Sequence, residues 1–210
     1  MSNSAQFQQV SSRRYIEAMP DGYVVAKIDF SDTFNSLRRD LMLRSVAEKV
    51  PEIYRFCHLS YNQPSVLKFE NRMILSQEGP HQGDPLGPLL FCLSIHPDLV
   101  QLKSELVAGY MDDLTLGSPT DVVAADIDHI TAREKQTGLH INAAKCEIIS
   151  HSPALRVSQF SNFIFMAPHE SELLGAPLFT GSKMDAALAS RYAELNTAIN
   201  RLSLLSPHDA

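Results

Sequence analysis

Acidic residues in two separate parts of the sequence have the type and placement of metal ligands. Asp29 follows an apolar run that starts at residue 22, and Asp112 and Asp113 lie side by side between two short apolar runs. Taken alone, an acid at a strand end or in a turn is usually a solvated turn residue. If both segments are neighbours in one sheet, three carboxylates converge, and their repulsion must be offset by cations. Such oxygen ligands select Mg²⁺ or Mn²⁺, and two such ions roughly 4 Å apart activate an attacking hydroxyl and stabilise a leaving pyrophosphate.

A loop dense in glycine and proline is the second candidate for chemistry. Residues 82–88 read QGDPLGP, and this composition restricts the loop to a particular backbone path. Gly83 lets a ligand approach the main chain closely, and a helix after Pro88 presents its N-terminus to anions. A plain connecting loop is the alternative.

Hydrophobic periodicity predicts the elements that position these residues in the first half of the chain. Residues 22–30 indicate a strand, and Asp32 is placed to cap a helix over residues 33–50. Helical spacing turns Arg38, Arg39 and Asp40 outward. The other predicted elements are a loose polar arm at residues 1–12, a second helix from Pro51, and a hairpin of residues 64–70 and 72–76.

The second half begins with a helix at Pro88 that Pro97 is expected to kink or break. Residues 106–117 indicate a tight hairpin with the paired acids at its tip. The remaining elements are an amphipathic helix ended by Gly138, a strand at 145–149, and a C-terminal helix with an apolar stripe. Because strands and helices mix without regular alternation, the sequence predicts an α+β fold with an antiparallel sheet backed by helices.

Composition restricts the class of protein. The chain has 210 residues, of which 44% are hydrophobic and 20% charged. This composition predicts one sizeable core, or one domain with a small appendage, and disorder describes the whole chain poorly. No apolar run reaches membrane-spanning length, and no signal peptide is visible. Three scattered cysteines favour a reducing intracellular compartment, cytoplasm or nucleus, and dispersed histidines indicate no zinc site. The net charge of −6 counts against nucleic-acid binding.

Five segments occur in the order and approximate spacing of reverse transcriptase motifs, those of non-LTR retrotransposons in particular. They are DFSDTFN at residues 29–35, QGDPLGP at 82–88, YMDD at 110–113, GLHIN with KCE at 138–147, and LLGAPL at 173–178. The chain therefore resembles a reverse transcriptase, an RNA-directed DNA polymerase, over about residues 22–180.

The resemblance implies roles for the matching residues. Asp29, Asp112 and Asp113 would be catalytic acids that hold two Mg²⁺ or Mn²⁺ ions with the Phe30 carbonyl, and Lys145 would protonate the leaving pyrophosphate unless it only faces solvent. Nucleotide and template contacts are implied for Phe30, Phe34, Gln82, Gly83, Asp84, Tyr110 and Met111, and a primer grip for Leu174 and Gly175. Phe34 would exclude a ribonucleotide 2′-hydroxyl, or simply anchor its helix in the core. The implied partners are an RNA template, a DNA primer and deoxynucleoside triphosphates.

The resemblance also implies a domain division: residues 1–20 as an N-terminal arm or fingers remnant, 21–180 as the palm, and 181–210 as a partial thumb helix that packs on the palm. Only 28 residues precede Asp29, with Arg13-Arg14 as their sole basic pair, so truncation before the palm is expected. Pro80, His81 and Asp32 depart from common family residues. Three functions stay open: a reverse transcriptase palm, alone or completed by other fingers or thumb segments; an inactive retroelement remnant; and an RNA-directed RNA polymerase palm, which Phe34 and the YMDD string disfavour.

Overall fold

A computed structural model of the chain describes residues 3–152 and 158–203. The elements of its first half are α1 (Asn3–Ala18), β1 (Tyr23–Ile28), β2 (Phe30–Ser31), α2 (Thr33–Ser36), α3 (Arg39–Lys49), a 3₁₀ turn (Pro51–Ile53), α4 (Tyr54–Tyr61), β3 (Ser65–Phe69), β4 (Arg72–Ser76) and α5 (Gly87–Leu99). The second half contains β5 (Leu106–Tyr110), β6 (Asp113–Pro119), α6 (Thr120–Thr137), β7 (His140–Ile141), β8 (Glu147–Ile149), β9 (Ile164–Met166), β10 (Glu172–Leu173), β11 (Ala176–Pro177) and α7 (Ser182–Leu202), with 3₁₀ turns at Ser158–Phe160 and Pro168–Glu170.

The main sheet has the strand order β5-β6-β1-β8-β9. All neighbours in it are antiparallel except β8 and β9, which are parallel. Two-stranded pairs β2–β7, β3–β4 and β10–β11 complete the pairings of the described residues. The predicted α+β fold with an antiparallel sheet backed by helices is therefore confirmed.

Alternation along β1 divides the core around the sheet. Val24, Ala26 and Ile28 pack in one cluster with residues of α6 such as Val123 and Ile127. The opposite face places Val25 in a second cluster, which α1 and the segment around β10 and β11 complete. A third cluster joins α3, α4 and α5 beside the sheet. The first two clusters fix β1, which is followed by the first candidate acid.

The polar N-terminal segment is a helix from Asn3, so the predicted loose arm is wrong. Its buried face contains Gln8, Ser12 and Ile16 at a spacing of four residues. The Gln8 amide donates to the Ala108 carbonyl at 3.2 Å, and the Gln9 amide donates to the Leu173 carbonyl at 2.8 Å. Because two of the three buried positions are polar, hydrophobic periodicity gave no helix signal. The domain boundary at residue 20 stays a prediction.

The predicted helix over residues 33–50 is interrupted at Leu37 and Arg38. Asp32 precedes the first piece in a left-handed conformation, φ 46°, and its side chain makes no capping bond. Arg39 is 7% exposed and donates hydrogen bonds to the carbonyls of Gly79 and Ser76. The prediction that Arg39 turns outward is therefore wrong, because the break resets the helical phase.

Helix α5 contains Pro97 in its last turn and ends two residues later, at Leu99. The hairpins β3–β4 and β5–β6 and the Gly138 cap of α6, φ 82°, are as predicted. The C-terminal helix is present, but its stripe does not pack on the rest of the fold as expected: Leu188, Tyr192, Leu195, Ile199 and Leu202 are all exposed. Residues 204–210 of that predicted segment lie outside the described residues.

Among the residues that the structure describes, no helix combines the length and apolar character needed to cross a membrane.

Candidate active site

The acids predicted from two distant segments approach each other at one end of the sheet. The register of β1 and β6 pairs Ile28 with Leu114, so Asp29 and Asp113 are the next residues outward on the two strands. Both line an open depression of about 370 Å³, together with Lys27, Lys145 and Glu147.

Asp29 is fixed by its main chain, whereas one of its carboxylate oxygens has no partner. The Asp29 N–H donates to Cys146 Sγ at 3.3 Å, and the Asp29 carbonyl accepts from the Asn142 N–H at 2.8 Å. Burial raises the pKa of the Cys146 thiol to about 11, so the thiol is protonated at neutral pH. Asp29 Oδ1 is buried without a hydrogen-bond donor among the described residues. A buried carboxylate oxygen of this kind suits a cation.

The other two acids lie in and beside a two-residue turn. Tyr110 pairs with Asp113 across the hairpin, and Met111 and Asp112 form the turn between them. Met111 has a φ of 57°, the left-handed region that a non-glycine side chain enters at a cost of order 1–3 kcal/mol. Such backbone strain is typical of functional turns. Asp112 is exposed at the tip.

Burial and the neighbouring acids raise the pKa of Asp113. Although the residue as a whole is exposed, it also lines an apolar cavity beneath the turn with Phe30, Leu99 and Met111. Burial of the carboxyl is the largest cause of the raised pKa, and the neighbouring Asp112 and Asp29 add to it, while Lys27 opposes it. Repulsion among these carboxylates is what a bound cation would relieve.

The chemistry of the available ligands suits a hard divalent cation. The carboxylates of Asp29 and Asp113 line the same depression, and Asp29 Oδ1 is buried without a hydrogen-bond donor among the described residues. Across residues 3–152 and 158–203, however, no three His, Cys, Asp or Glu side chains are grouped closely enough to hold a metal ion. The Phe30 carbonyl accepts a hydrogen bond from Thr33 Oγ1 at 3.1 Å. A metal site formed by Asp29, Phe30, Asp112 and Asp113 therefore stays a prediction.

Phe34 and the glycine-rich loop form a second depression of about 430 Å³, which Gln82 and Gly83 also line. The ring of Phe34 packs against that of Phe91, with centroids 4.9 Å apart. Phe34 thus anchors its helix in the core and also faces the loop, and its role in nucleotide selection stays a prediction. The Gln82 side-chain amide donates to Asn35 Oδ1 at 3.4 Å.

Asp84, a predicted nucleotide contact, is engaged within the protein. Its carboxylate accepts from the Tyr61 hydroxyl and from the Leu86 N–H, the latter at 2.8 Å. These contacts fix the path of the loop and leave the neighbouring Gly83, φ 86°, at its apex.

Lys145 is exposed and lines the depression that contains Asp29 and Asp113. This location is compatible with protonation of a leaving group in the depression, and that role of Lys145 stays a prediction. Leu174 and Gly175 form the turn of the hairpin β10–β11, both with positive φ. They line neither depression, so their role as a primer grip stays a prediction.

Sequence reasoning missed Lys27 and Glu147, which form an ion pair of 2.5 Å beside the acids. Lys27 lies two residues before Asp29 in the predicted strand, and alternation places both side chains on one face of the sheet. This spacing could have indicated that Lys27 lies beside the acids. Glu147 pairs opposite Lys27 in the sheet, a contact that only the register reveals.

Comparison with known proteins gives the family of the chain and the relatives of its fold. The family model described as reverse transcriptase (RNA-dependent DNA polymerase) matches residues 2–178. The fold is similar to telomerase from Candida tropicalis in complex with the TWJ fragment of telomeric RNA, with 15% identity, a TM-score of 0.59, and coverage of 84% of this chain and 32% of that one. The corresponding complex from Candida albicans gives 12% identity, a TM-score of 0.56, and coverage of 86% and 33%.

Apo telomerase from Candida tropicalis, truncated from the C-terminal domain, is similar at 16% identity and a TM-score of 0.56, with coverage of 74% of this chain and 36% of that one. The chain thus spans about a third of the length of these telomerases. A comparison with curated proteins found no match. Because the family model covers most of the sequence, the chain belongs to the reverse transcriptase (RNA-dependent DNA polymerase) family.

Proposed function

We propose that this chain provides the palm of a retroelement reverse transcriptase of the non-LTR type, which extends a DNA primer on an RNA template. The observation that carries the proposal is the β1–β6 register, which brings Asp29 and Asp113 to one depression with Lys145. The motif resemblance to non-LTR elements supports the finer assignment.

In this proposal Asp29, Asp112 and Asp113 hold two divalent cations, Mg²⁺ or Mn²⁺. When bound, such ions lower the pKa of the primer hydroxyl and stabilise the charge of the leaving pyrophosphate. Lys145 donates a proton to the leaving group. Phe34, Gln82 and Gly83 form the wall against which the incoming deoxynucleotide lies.

The proposed partners are an RNA template, a DNA primer and deoxynucleoside triphosphates. Two of the telomerases whose fold is similar to that of this chain are in complex with a fragment of telomeric RNA. This similarity of fold supports RNA as the template. The net charge of −6 disfavours binding a polyanion through the whole surface. Cations at the acids, and further fingers or thumb segments where such segments accompany the chain, would supply the positive charge.

Primer extension tests the proposal. Purified protein is given poly(rA), an oligo(dT) primer and dTTP with Mg²⁺ or Mn²⁺, and incorporation is expected from the wild type. Asp112→Asn should lower it at least about 100-fold, because the loss of a metal ligand removes charge stabilisation at the transition state. Asp21→Asn, an exposed acid in the turn before β1, is the matched control and should leave incorporation unchanged.

Two results would contradict the proposal. Absence of incorporation at every Mg²⁺ and Mn²⁺ concentration would favour the second candidate, an inactive retroelement remnant that keeps the palm fold. The lack of a preassembled three-ligand group among the described residues supports that candidate. Preferential use of ribonucleotides would favour an RNA-directed RNA polymerase instead.

A further inference from the structure

Tyr61, the last residue of α4, lies at the centre of a buried cluster that the proposed chemistry does not use. It is 2% exposed, and two groups lie against its ring. The His81 ring stacks on it with centroids 4.7 Å apart and planes inclined by 29°, and the Arg39 guanidinium lies 5.3 Å from the ring centroid. Tyr61 therefore connects α3 and α4 to the start of the glycine-rich loop.

The hydroxyl of Tyr61 makes two contacts to that loop. It donates to the Asp84 carboxylate and accepts from the His81 N–H at 3.2 Å. Burial, and after it the hydrogen bond to Asp84, raises the pKa of Tyr61 to about 12, so the hydroxyl remains a donor at neutral pH. Asp84 in turn accepts from the Leu86 N–H at 2.8 Å. One hydroxyl thereby holds residues on both sides of Gln82 and Gly83.

Arg39 fixes the segment that precedes the loop. Its Nε donates to the Gly79 carbonyl at 2.9 Å, its Nη1 to the Ser76 carbonyl at 2.8 Å, and its Nη2 to Ser76 Oγ at 2.8 Å. Ser65, at the start of β3, also contacts the loop through its Oγ, 2.9 Å from His81 Nε2. The loop is thus held at residues 79, 81 and 84, and all three restraints converge on the Tyr61 ring or hydroxyl.

We propose that Tyr61 is a positioning residue for the Gln82-Gly83 loop: through His81 and Asp84 it sets where that backbone meets the incoming nucleotide or template. The positioning stands on the contacts above, and its consequence for catalysis rests on the proposed function. A buried tyrosine that only filled the core would need its ring but not its hydroxyl, and this difference separates the two roles.

Tyr61→Phe keeps the ring and removes the hydroxyl, and amide hydrogen exchange measures the result without requiring activity. The N–H of His81 loses its acceptor and that of Leu86 is loosened through Asp84, so both should exchange about tenfold faster, as the loss of one hydrogen bond implies. The amides of β6 should exchange as in the wild type. Tyr54→Phe is the matched control: it lies on the same helix, its hydroxyl has no hydrogen bond among the described residues, and it should change neither region.

Unchanged exchange at His81 and Leu86, or an equal increase in β6, would show that Tyr61 does not position the loop. Steady-state primer extension supplies the second readout. With loop position altered, the KM for the deoxynucleotide should rise about tenfold while kcat falls less; an unchanged KM would refute the catalytic consequence. If the wild type incorporates nothing and the exchange difference is still found, the proposed function fails and the role of Tyr61 stands.

Discussion

Asp113 combines two unfavourable conditions at the residue scale. Its carboxylate is partly buried above an apolar cavity, and it faces two further acids, whose effect Lys27 opposes. An acid whose pKa is raised on folding binds its proton more tightly in the native state than in the unfolded state. Its contribution to stability is therefore lost as pH rises from the ordinary value through the raised pKa, and the full cost is present at neutral pH.

Asp113→Asn should consequently stabilise the metal-free protein at pH 7. We expect a melting temperature higher by on the order of 1–2 °C, since solvent screening limits such an effect. The difference should disappear at a pH below the ordinary range of Asp, where the wild-type carboxyl is protonated in both states. Differential scanning calorimetry at pH 7 and at about pH 2.5 checks both parts.

The exposed Asp121→Asn serves as the control for this measurement and should show no such pH-dependent gain. A lower melting temperature for Asp113→Asn at pH 7 would mean that the carboxylate makes favourable contacts that outweigh its burial.

The positions of the motif residues were predictable because their types are diagnostic, whereas their roles stay predictions. The first depression is lined by Asp29 and Asp113, and the second by Phe34 and Gln82. Asp112 lies in the turn of the predicted hairpin. Arg39 and Tyr61 were not predictable in the same way: their importance lies in contacts to residues 76–84, which no local pattern encodes. A buried arginine bound to neutral carbonyls resembles a surface arginine when only the sequence is read.

At the scale of elements, two glycines from distant parts of the chain pack closely against the backbone of the short helix α2. A Cβ at Gly79 would lie 1.9 Å from the Phe34 carbonyl oxygen, and one at Gly138 would lie 2.0 Å from that of Ser36. The Gly79 N–H also donates to the Leu37 carbonyl at 2.7 Å. The position of Phe34 thus depends on Gly79 and Gly138, because any larger residue at either position would collide with the backbone of α2.

Gly138→Ala should cost about 2–4 kcal/mol of unfolding free energy, because strain at φ 82° adds to displacement of the Ser36 carbonyl. Urea denaturation measures this cost.

Gly22→Ala is the matched control for that substitution, since Gly22 has a similar φ of 85° but no atom within 4 Å of the added Cβ. It should cost only about 1 kcal/mol, from backbone strain alone. Equal costs for the two variants would show that the close approach to α2 contributes nothing.

Elements with a single clear signal were predicted well, and those with mixed signals were not. The β5–β6 hairpin and α6 follow from apolar runs and a glycine cap. Helix α1 was missed because its buried face contains the polar residues Gln8 and Ser12, and Gln8 finds its hydrogen-bond partner on the sheet, at the Ala108 carbonyl. Tertiary contacts outweigh local pattern in such a helix.

At the scale of the whole molecule, α7 stands apart from the three core clusters. Its five stripe residues are exposed, and none of its residues is buried. Surface substitutions normally change stability by less than about 0.5 kcal/mol. The helix is therefore expected to add little to the stability of the fold.

Leu195→Ser and Ile199→Ser should each change the urea midpoint by less than the equivalent of about 0.5 kcal/mol. Leu173→Ser, at a position that is 3% exposed in the core, is the comparison and should cost at least about 2 kcal/mol. A large loss for either α7 variant would indicate that the stripe packs against this chain in solution.

The pairing of β1 with β6 has a consequence for how the sequence can vary. Asp29 lies near Asp113 because the register of the two strands pairs Ile28 with Leu114. The length of the chain that connects the two strands therefore does not affect the distance between the acids. Insertions at the β3–β4 tip near Asn71 can lengthen the chain without separating them. A single-residue deletion inside β6, by contrast, would turn every following side chain to the other face. Length polymorphism is thus tolerable between the motifs and intolerable within the two strands.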